Sequence, residues 1–333
     1  MTANQKTTPP SGVIKPLCAD DLEAVIAIDT ALTKISRRGF FEKRLADALA
    51  DPGDYVYVGL HQGDLLAGYA MAKRIDGEFG KPGGRASLDA IGVDPSVQDH
   101  GAGHQLITAI EEVLIHKGVS ELTSQVSWSA QALVGFLGDA GFNLAPRIVL
   151  SRGTSRLPSE EIDTSLDEEV EIDHSSPDGD AYGALSHDMV PVRSMREDDL
   201  KAIISIDRKT TGRDRSAYCE RKQREVLHQS GVRISLIAEI DGLSVGFIMA
   251  RVDYGEFGRT GAEAVMDAVG VDPGFQGQGV GRALMTQLME NLSTLRVETV
   301  RTELDWNDIT LIPYLDTVGF EPAQYVVLNR TLS

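Results

Sequence analysis

One stretch of this chain occurs twice. Leu88-Asp-Ala-Ile-Gly-Val-Asp-Pro-Ser-Val-Gln-Asp-His-Gly-Ala-Gly103 returns as Met266-Asp-Ala-Val-Gly-Val-Asp-Pro-Gly-Phe-Gln-Gly-Gln-Gly-Val-Gly281. The offset of 178 residues holds elsewhere without drift: Asp20-Asp21-Leu22 matches Asp198-Asp199-Leu200, Gly77-Glu-Phe-Gly80 matches Gly255-Glu-Phe-Gly258, and Trp128 matches Trp306. A gapless period this long means two copies of one domain, not a solenoid of short units. At 333 residues the chain is long enough for each copy to bury its own core. We place the copies at 13–152 and 190–333. Residues 153–189 between them include a stretch from Glu160 to Asp180 with ten acidic residues and no Lys or Arg. Such a stretch reads as a solvated linker; the alternative is an arm that docks on a basic partner.

Each copy repeats one order of elements. A strand (Ile14–Leu17; Val192–Met195) leads to Asp-Asp as a helix cap, then a helix, then three strands, the last ending at Val93 or Val271. Behind the glycine loop of the second copy, Leu284, Met285, Leu288, Met289 and Leu292 recur at a helical period. A strand (Thr299–Trp306), a helix (Ile309–Thr317), Gly-Phe and a last strand (Tyr325–Leu328) follow. Trp128 and Trp306 are read as core or cleft-lining, and Asn307-Asp308 as a helix cap in one copy only. Antiparallel strands followed by a strand–loop–helix–strand crossover predict a mixed α/β fold, each domain a mixed sheet with helices on both faces.

The net charge of −18 and the lack of a Lys/Arg cluster argue against a nucleic-acid partner. No apolar run reaches membrane-spanning length, and the start of the chain lacks the apolar core of a signal peptide. Two non-equivalent cysteines, Cys18 and Cys219, suit a reducing compartment, so a cytoplasmic setting without membrane attachment is expected. His100 and His104 have the spacing of a helical metal pair but no third ligand in register, and no metal is expected.

The segment Val271-Asp-Pro-Gly-Phe-Gln-Gly-Gln-Gly-Val-Gly-Arg lies between a strand and a helix, where free N–H groups and the helix dipole favour an anion. It lacks Gly-Lys-Ser/Thr, and Gly277, Gly279 and Gly281 alternate, which excludes the two common nucleotide loops. What remains, Gln-x-x-Gly-x-Gly after Val-x-Pro with a late Gly-Phe, resembles the GCN5-related N-acetyltransferase (GNAT) family, and the resemblance covers both copies.

That resemblance implies two tandem acyl-CoA N-acyltransferase domains with acetyl-coenzyme A as co-substrate. It implies a pyrophosphate site at Gln276, Gly277, Gln278, Gly279, Val280, Gly281 and Arg282, with Gln98, Gly101 and Gly103 in the first copy. It implies oxyanion donors at Val269, Gly270 and Val271, and attack by an amine through a tetrahedral intermediate. Asp99 and His100 replace Gly277 and Gln278 in the first copy; a Cβ and a carboxylate there work against a pyrophosphate. Chemistry is therefore expected in the second copy. Asp267, an even number of residues before Val271 and so expected on the same face, is a candidate base. Glu256 is another. Tyr314, whose twin is Phe136, is the candidate acid, although it stands five residues before Gly319 where the family has four, a turn of about 100° on a helix. The acceptor is a small-molecule or protein amine. The rival readings are a non-catalytic acyl-coenzyme A sensor and a protein-lysine acetyltransferase.

Overall fold

The structure is a computed structural model, and it describes residues 12–75, 84–155, 190–229, 232–253, 255–259 and 261–333. The acidic stretch Glu160–Asp180 and the Gly77–Gly80 turn with Glu78 lie outside the described residues.

The described chain forms two seven-stranded mixed sheets. In the first, β1 (Val13–Pro16), β2 (Tyr55–Gln62), β3 (Leu65–Arg74) and β4 (Arg85–Val93) pair antiparallel, and β5 (Glu121–Ser127) joins β4 in parallel. Helices α1 (Leu22–Thr33) and α2 (Arg38–Ala50) cover one face; α3 (Ala102–His116) and α4 (Gln131–Asp139) cover the other. In the second sheet β8 (Val192–Ser194), β9 (Leu236–Ile240), β10 (Leu243–Asp253), β11 (Glu263–Val271) and β12 (Thr299–Asp305) repeat the pattern. Helices α5 (Leu200–Thr211) and α6 (Ser216–Arg224) cover one face, α7 (Val280–Thr294) and α8 (Leu311–Thr317) the other. The stripe expected on α7 is buried in full, from Leu284 to Leu292. The expected boundaries move by a few residues: the last helix starts at Leu311, where the Asp308 side chain accepts the Leu311 N–H at 2.8 Å. Helices α2 and α6 had no counterpart in the sequence reading.

The sheets exchange strands. The last strand of the first repeat, β7 (Arg147–Gly153), pairs with β12 of the second sheet through seven residues. The last strand of the second repeat, β14 (Tyr325–Thr331), pairs with β5 of the first sheet through seven. Short strands β6 (Asn143–Leu144) and β13 (Glu321–Pro322) flank β14 and β7. Leu328 is thus buried in the core under α3, while its repeat twin Leu150 is buried in the core under α7. Trp128 and Trp306, at the ends of β5 and β12, are 65% and 53% exposed, which removes the core reading for both.

Both fourth strands carry a bulge. Met249 pairs with Ala268 and Ala250 with Met266, leaving Asp267 as the extra residue of β11. Met71 with Ala90 and Ala72 with Leu88 leave Asp89 in the same place. A bulge redirects the side chains around it.

Candidate functional site

After β11 the Asp272 carboxylate accepts the Gly274 N–H at 3.0 Å and closes a tight turn. Gln276 Nε2 donates to the Val271 carbonyl at 3.3 Å, as Gln98 does to Val93 at 3.0 Å. These amides brace the loop against its strand. Gly277 and Gly279 then take φ of +77° and +80°, and α7 begins at Val280. A Cβ on either glycine would meet nothing within 4 Å, so the loop presents open backbone to a ligand. Left-handed backbone, free N–H groups and a helix start together fit the pyrophosphate of coenzyme A.

Asp99 adopts φ +64° and Gly101 +82°, so the first loop follows the same path. The expected backbone restriction is not what separates the copies, because Asp tolerates the left-handed region. Gly281 has a different duty from the other glycines. A Cβ there would stand 3.0 Å from Tyr314 Cε2, and one on Gly103 would stand 2.7 Å from Phe136 Cε2. The third glycine makes room for an aromatic ring.

Charge does separate the copies. Lys209, at the end of α5, reaches Asp272 Oδ2 at 2.6 Å, and this contact holds the Asp272 carboxyl below its usual range. Arg282 is exposed on the first turn of α7. The first copy has Ala31 and His104 at these positions, and it adds Asp99 beside Asp94. The second loop therefore carries two cations against one carboxylate, and the first carries two carboxylates.

Beyond the loop the sheet opens. β11 and β12 pair only at Ala264–Val300 and Val265–Arg301. Thr302 Oγ1 bonds the Met266 carbonyl at 3.0 Å, and above that level no β11–β12 register pair remains. Which β11 amides face the opening follows from the ladder. The Asp272 N–H bonds Val245 O at 2.8 Å, so alternate residues Gly270 and Ala268 also turn to β10. Val269 and Val271 turn their N–H groups towards the opening; Gly270 does not.

Asp267 does not share the face of Val271. The bulge sends its side chain to the face covered by α6, where Arg251 Nε stands 3.3 Å and Lys222 Nζ 3.5 Å from Oδ2. Glu256, in the turn after β10, is buried between the repeats and paired with Arg44, Arg251 and Arg301. Burial opposes its charge, but the three guanidiniums hold its carboxyl well below the usual range. The two candidate bases line one polar cavity, where Ser87 and Asp89 of the first repeat face Asp267 and Arg301 of the second. The cavity has about 50 Å³ of room, enough for a few waters or the slender head of an amine. It lies on the opposite sheet face from α7, beside the stretch where β11 and β12 part.

Tyr314 stands on α8 with its ring against Gly281, and its hydroxyl donates to the Gly281 carbonyl at 2.8 Å. Burial pushes its pKa up, so the hydroxyl keeps its proton at neutral pH. Phe136 fills the same place in the first copy.

The sequence model of the Acetyltransferase (GNAT) family matches residues 25–142 and 200–320, well over half of the chain. The chain belongs to the GNAT family. Among solved structures, the tandem GNAT protein of the clavulanic acid pathway is similar over 97% of this chain and 99% of its own, at 14% identity and a TM-score of 0.63. A GCN5-related N-acetyltransferase from Sphaerobacter thermophilus is similar over 98% and 97%, at 17% identity and a TM-score of 0.60. The chain spans 38% of a fungal multi-domain β-N-acetylglucosaminidase that contains a GCN5-related glucosamine N-acetyltransferase region. At these identities the likeness concerns the fold. As a GNAT protein the chain is an acyltransferase of two tandem domains. No described helix is long and apolar enough to cross a membrane.

This GNAT chain also carries site residues that the sequence reading passed over. Lys209 had a signal, since its twin is Ala31. Lys222 and Arg251 reach Asp267 from within its own repeat, and their twins Arg44 and Lys73 are also basic; the reach of Arg44 to Glu256 arises only where the two repeats meet.

Proposed function

We propose that the chain is an acetyl-coenzyme A-dependent N-acetyltransferase with its chemistry in the C-terminal copy. The observation that carries this reading is the charge of the two loops: Lys209, Gly277 and Arg282 favour a pyrophosphate where Ala31, Asp99 and His104 do not. Gly277, Gly279 and the first amides of α7 would hold the pyrophosphate, with Arg282 adding an exposed positive charge. Bound there, acetyl-coenzyme A supplies an activated acetyl group.

The residues around it divide the work. Val269 and Val271 aim their N–H groups into the β11–β12 opening, where the acetyl oxygen gains negative charge as the amine attacks. Asp267, set between Lys222 and Arg251, draws the amine head from the cavity face and receives its proton. Tyr314, still protonated, returns a proton to the departing thiolate. The narrow cavity favours an amine on a slender chain. The N-terminal copy completes the cavity wall with Ser87 and Asp89.

Steady release of thiol from acetyl-coenzyme A in the presence of a panel of primary amines tests the proposal. Binding of acetyl-coenzyme A with no turnover on any amine supports the rival sensor reading instead.

A further inference from the structure

A chain of buried ion pairs crosses from one repeat to the other and ends on Asp267. It begins at Arg44 on α2, which is 5% exposed. Its guanidinium lies 3.3 Å from Asp89 Oδ2 and is hydrogen-bonded to Glu256 Oε1. Glu256 Oε2 also accepts from Arg251 Nη2 at 3.2 Å, and Arg251 Nη1 lies 3.1 Å from Oε1. Arg301 holds Oε2 from β12 at 2.9 Å. The third nitrogen of the Arg251 fork, Nε, is the one that faces Asp267. One planar guanidinium therefore lies between Glu256 and Asp267, hydrogen-bonded to the first and ion-paired with the second, and its position sets the positive charge beside both.

We infer that Arg44 is a positioning residue for the C-terminal site, holding the Asp267 carboxylate through Glu256 and Arg251. The inference rests on the reading of Asp267 as the proton acceptor. Glu256 needs its cations because it is buried; an unpaired carboxylate there is costly. Without Arg44, Glu256 keeps Arg251 and Arg301 and draws the Arg251 fork towards itself. Asp267 is then left to Lys222 on α6. The other charges around Asp267 do not replace the lost cation. Glu225 beyond α6 pairs with Lys73 and Lys222. Asp253 and Glu263 pair with Arg301, and Glu303 pairs with Arg147. Asp89 itself loses its nearest cation. The N-terminal copy is then required for turnover even where it binds no coenzyme A.

The test uses the full chain, acetyl-coenzyme A and methylamine, an acceptor small enough for the cavity. Thiol release is followed from pH 5 to 9 for Arg44→Met, Arg44→Lys, Asp267→Asn and, as an exposed control on the same helix, Arg38→Met. We expect Arg44→Met to lower kcat by about tenfold, the scale seen when a supporting hydrogen-bond partner is removed. KM for acetyl-coenzyme A should hold. The acid limb of kcat/KM should move to higher pH, because Asp267 has lost a cation. Arg44→Lys keeps the charge without the fork and should fall between wild type and Arg44→Met; it serves alone if the Met variant does not fold. An acid limb that stays in place in Arg44→Met, or in Arg44→Lys where only that variant folds, overturns the inference, even if thermal stability falls. Asp267→Asn separates the two claims. If it leaves rate and profile unchanged, the base reading fails. If it abolishes turnover while the Arg44 variants keep the wild-type limb, only the positioning role fails.

Discussion

Replacing Leu328 by Ala should weaken the N-terminal domain, although Leu328 stands only five residues before Ser333. The side chain is 6% exposed and sits in the cluster with Leu106, Ile110 and Leu122. A buried Leu→Ala change costs about 2–5 kcal/mol, the transfer term plus the cavity left behind. Against a domain stability of about 5–15 kcal/mol, that is a large part of the whole. At about 1.4 kcal/mol per tenfold, a loss near 3 kcal/mol speeds amide exchange through opening of that core by roughly a hundredfold. Hydrogen exchange read by mass spectrometry locates the change. In Leu328→Ala, peptides of α3 and β5 should lose protection while those of α7 and β12 keep theirs. Leu150→Ala should do the reverse, since Leu150 lies under α7. If Leu328→Ala instead deprotects α7 and β12, the strand exchange is wrong and each repeat keeps its own last strand.

The same exchange predicts that a protease site placed near Asp167, once cut, leaves the two fragments co-eluting and active. Fragments that separate into two folded halves would contradict it. Tyr314→Phe keeps the ring against Gly281 and removes the proton, so turnover should fall by about a hundredfold with acetyl-coenzyme A affinity unchanged. Near-normal turnover assigns Tyr314 to packing alone. Burial raises the Asp89 carboxyl to about 6 against the opposing pull of Arg44. The folded state then holds that proton more tightly than the unfolded chain, so this group's contribution to stability falls as pH rises from about 4 to 6. The size is about 3 kcal/mol for two pKa units. Urea midpoints for wild type and Asp89→Asn should diverge across that window, and a pH-independent difference refutes the assignment.

The glycine loop and the helix behind it were legible because each is local: turn residues, a helical stripe and a strand before them lie within thirty residues. The strand exchange was not. Val149-Leu150 and Val327-Leu328 are identical pairs in near-identical alternation, and either strand satisfies the edge of either sheet. Sequence similarity between the copies erases the information that would choose. The side of Asp267 was misjudged for a related reason. Counting by twos assumes an unbroken pleat, and the bulge between Met266 and Ala268 adds one residue. A lone carboxylate amid Val265, Met266 and Ala268 marked the place but not the direction. The exposure of Trp128 and Trp306 was equally hidden, since strand ends leave burial to whatever the chain packs next.

The most direct test of the account is calorimetric titration of the full chain with coenzyme A, alongside Gly279→Glu and Gly101→Glu. Each variant sets a carboxylate and a Cβ on one loop at a left-handed glycine, φ +80° and +82°. Gly279→Glu should abolish tight binding, and Gly101→Glu should leave it in place. Binding that survives Gly279→Glu and vanishes in Gly101→Glu would move the site to the other copy and contradict the assignment.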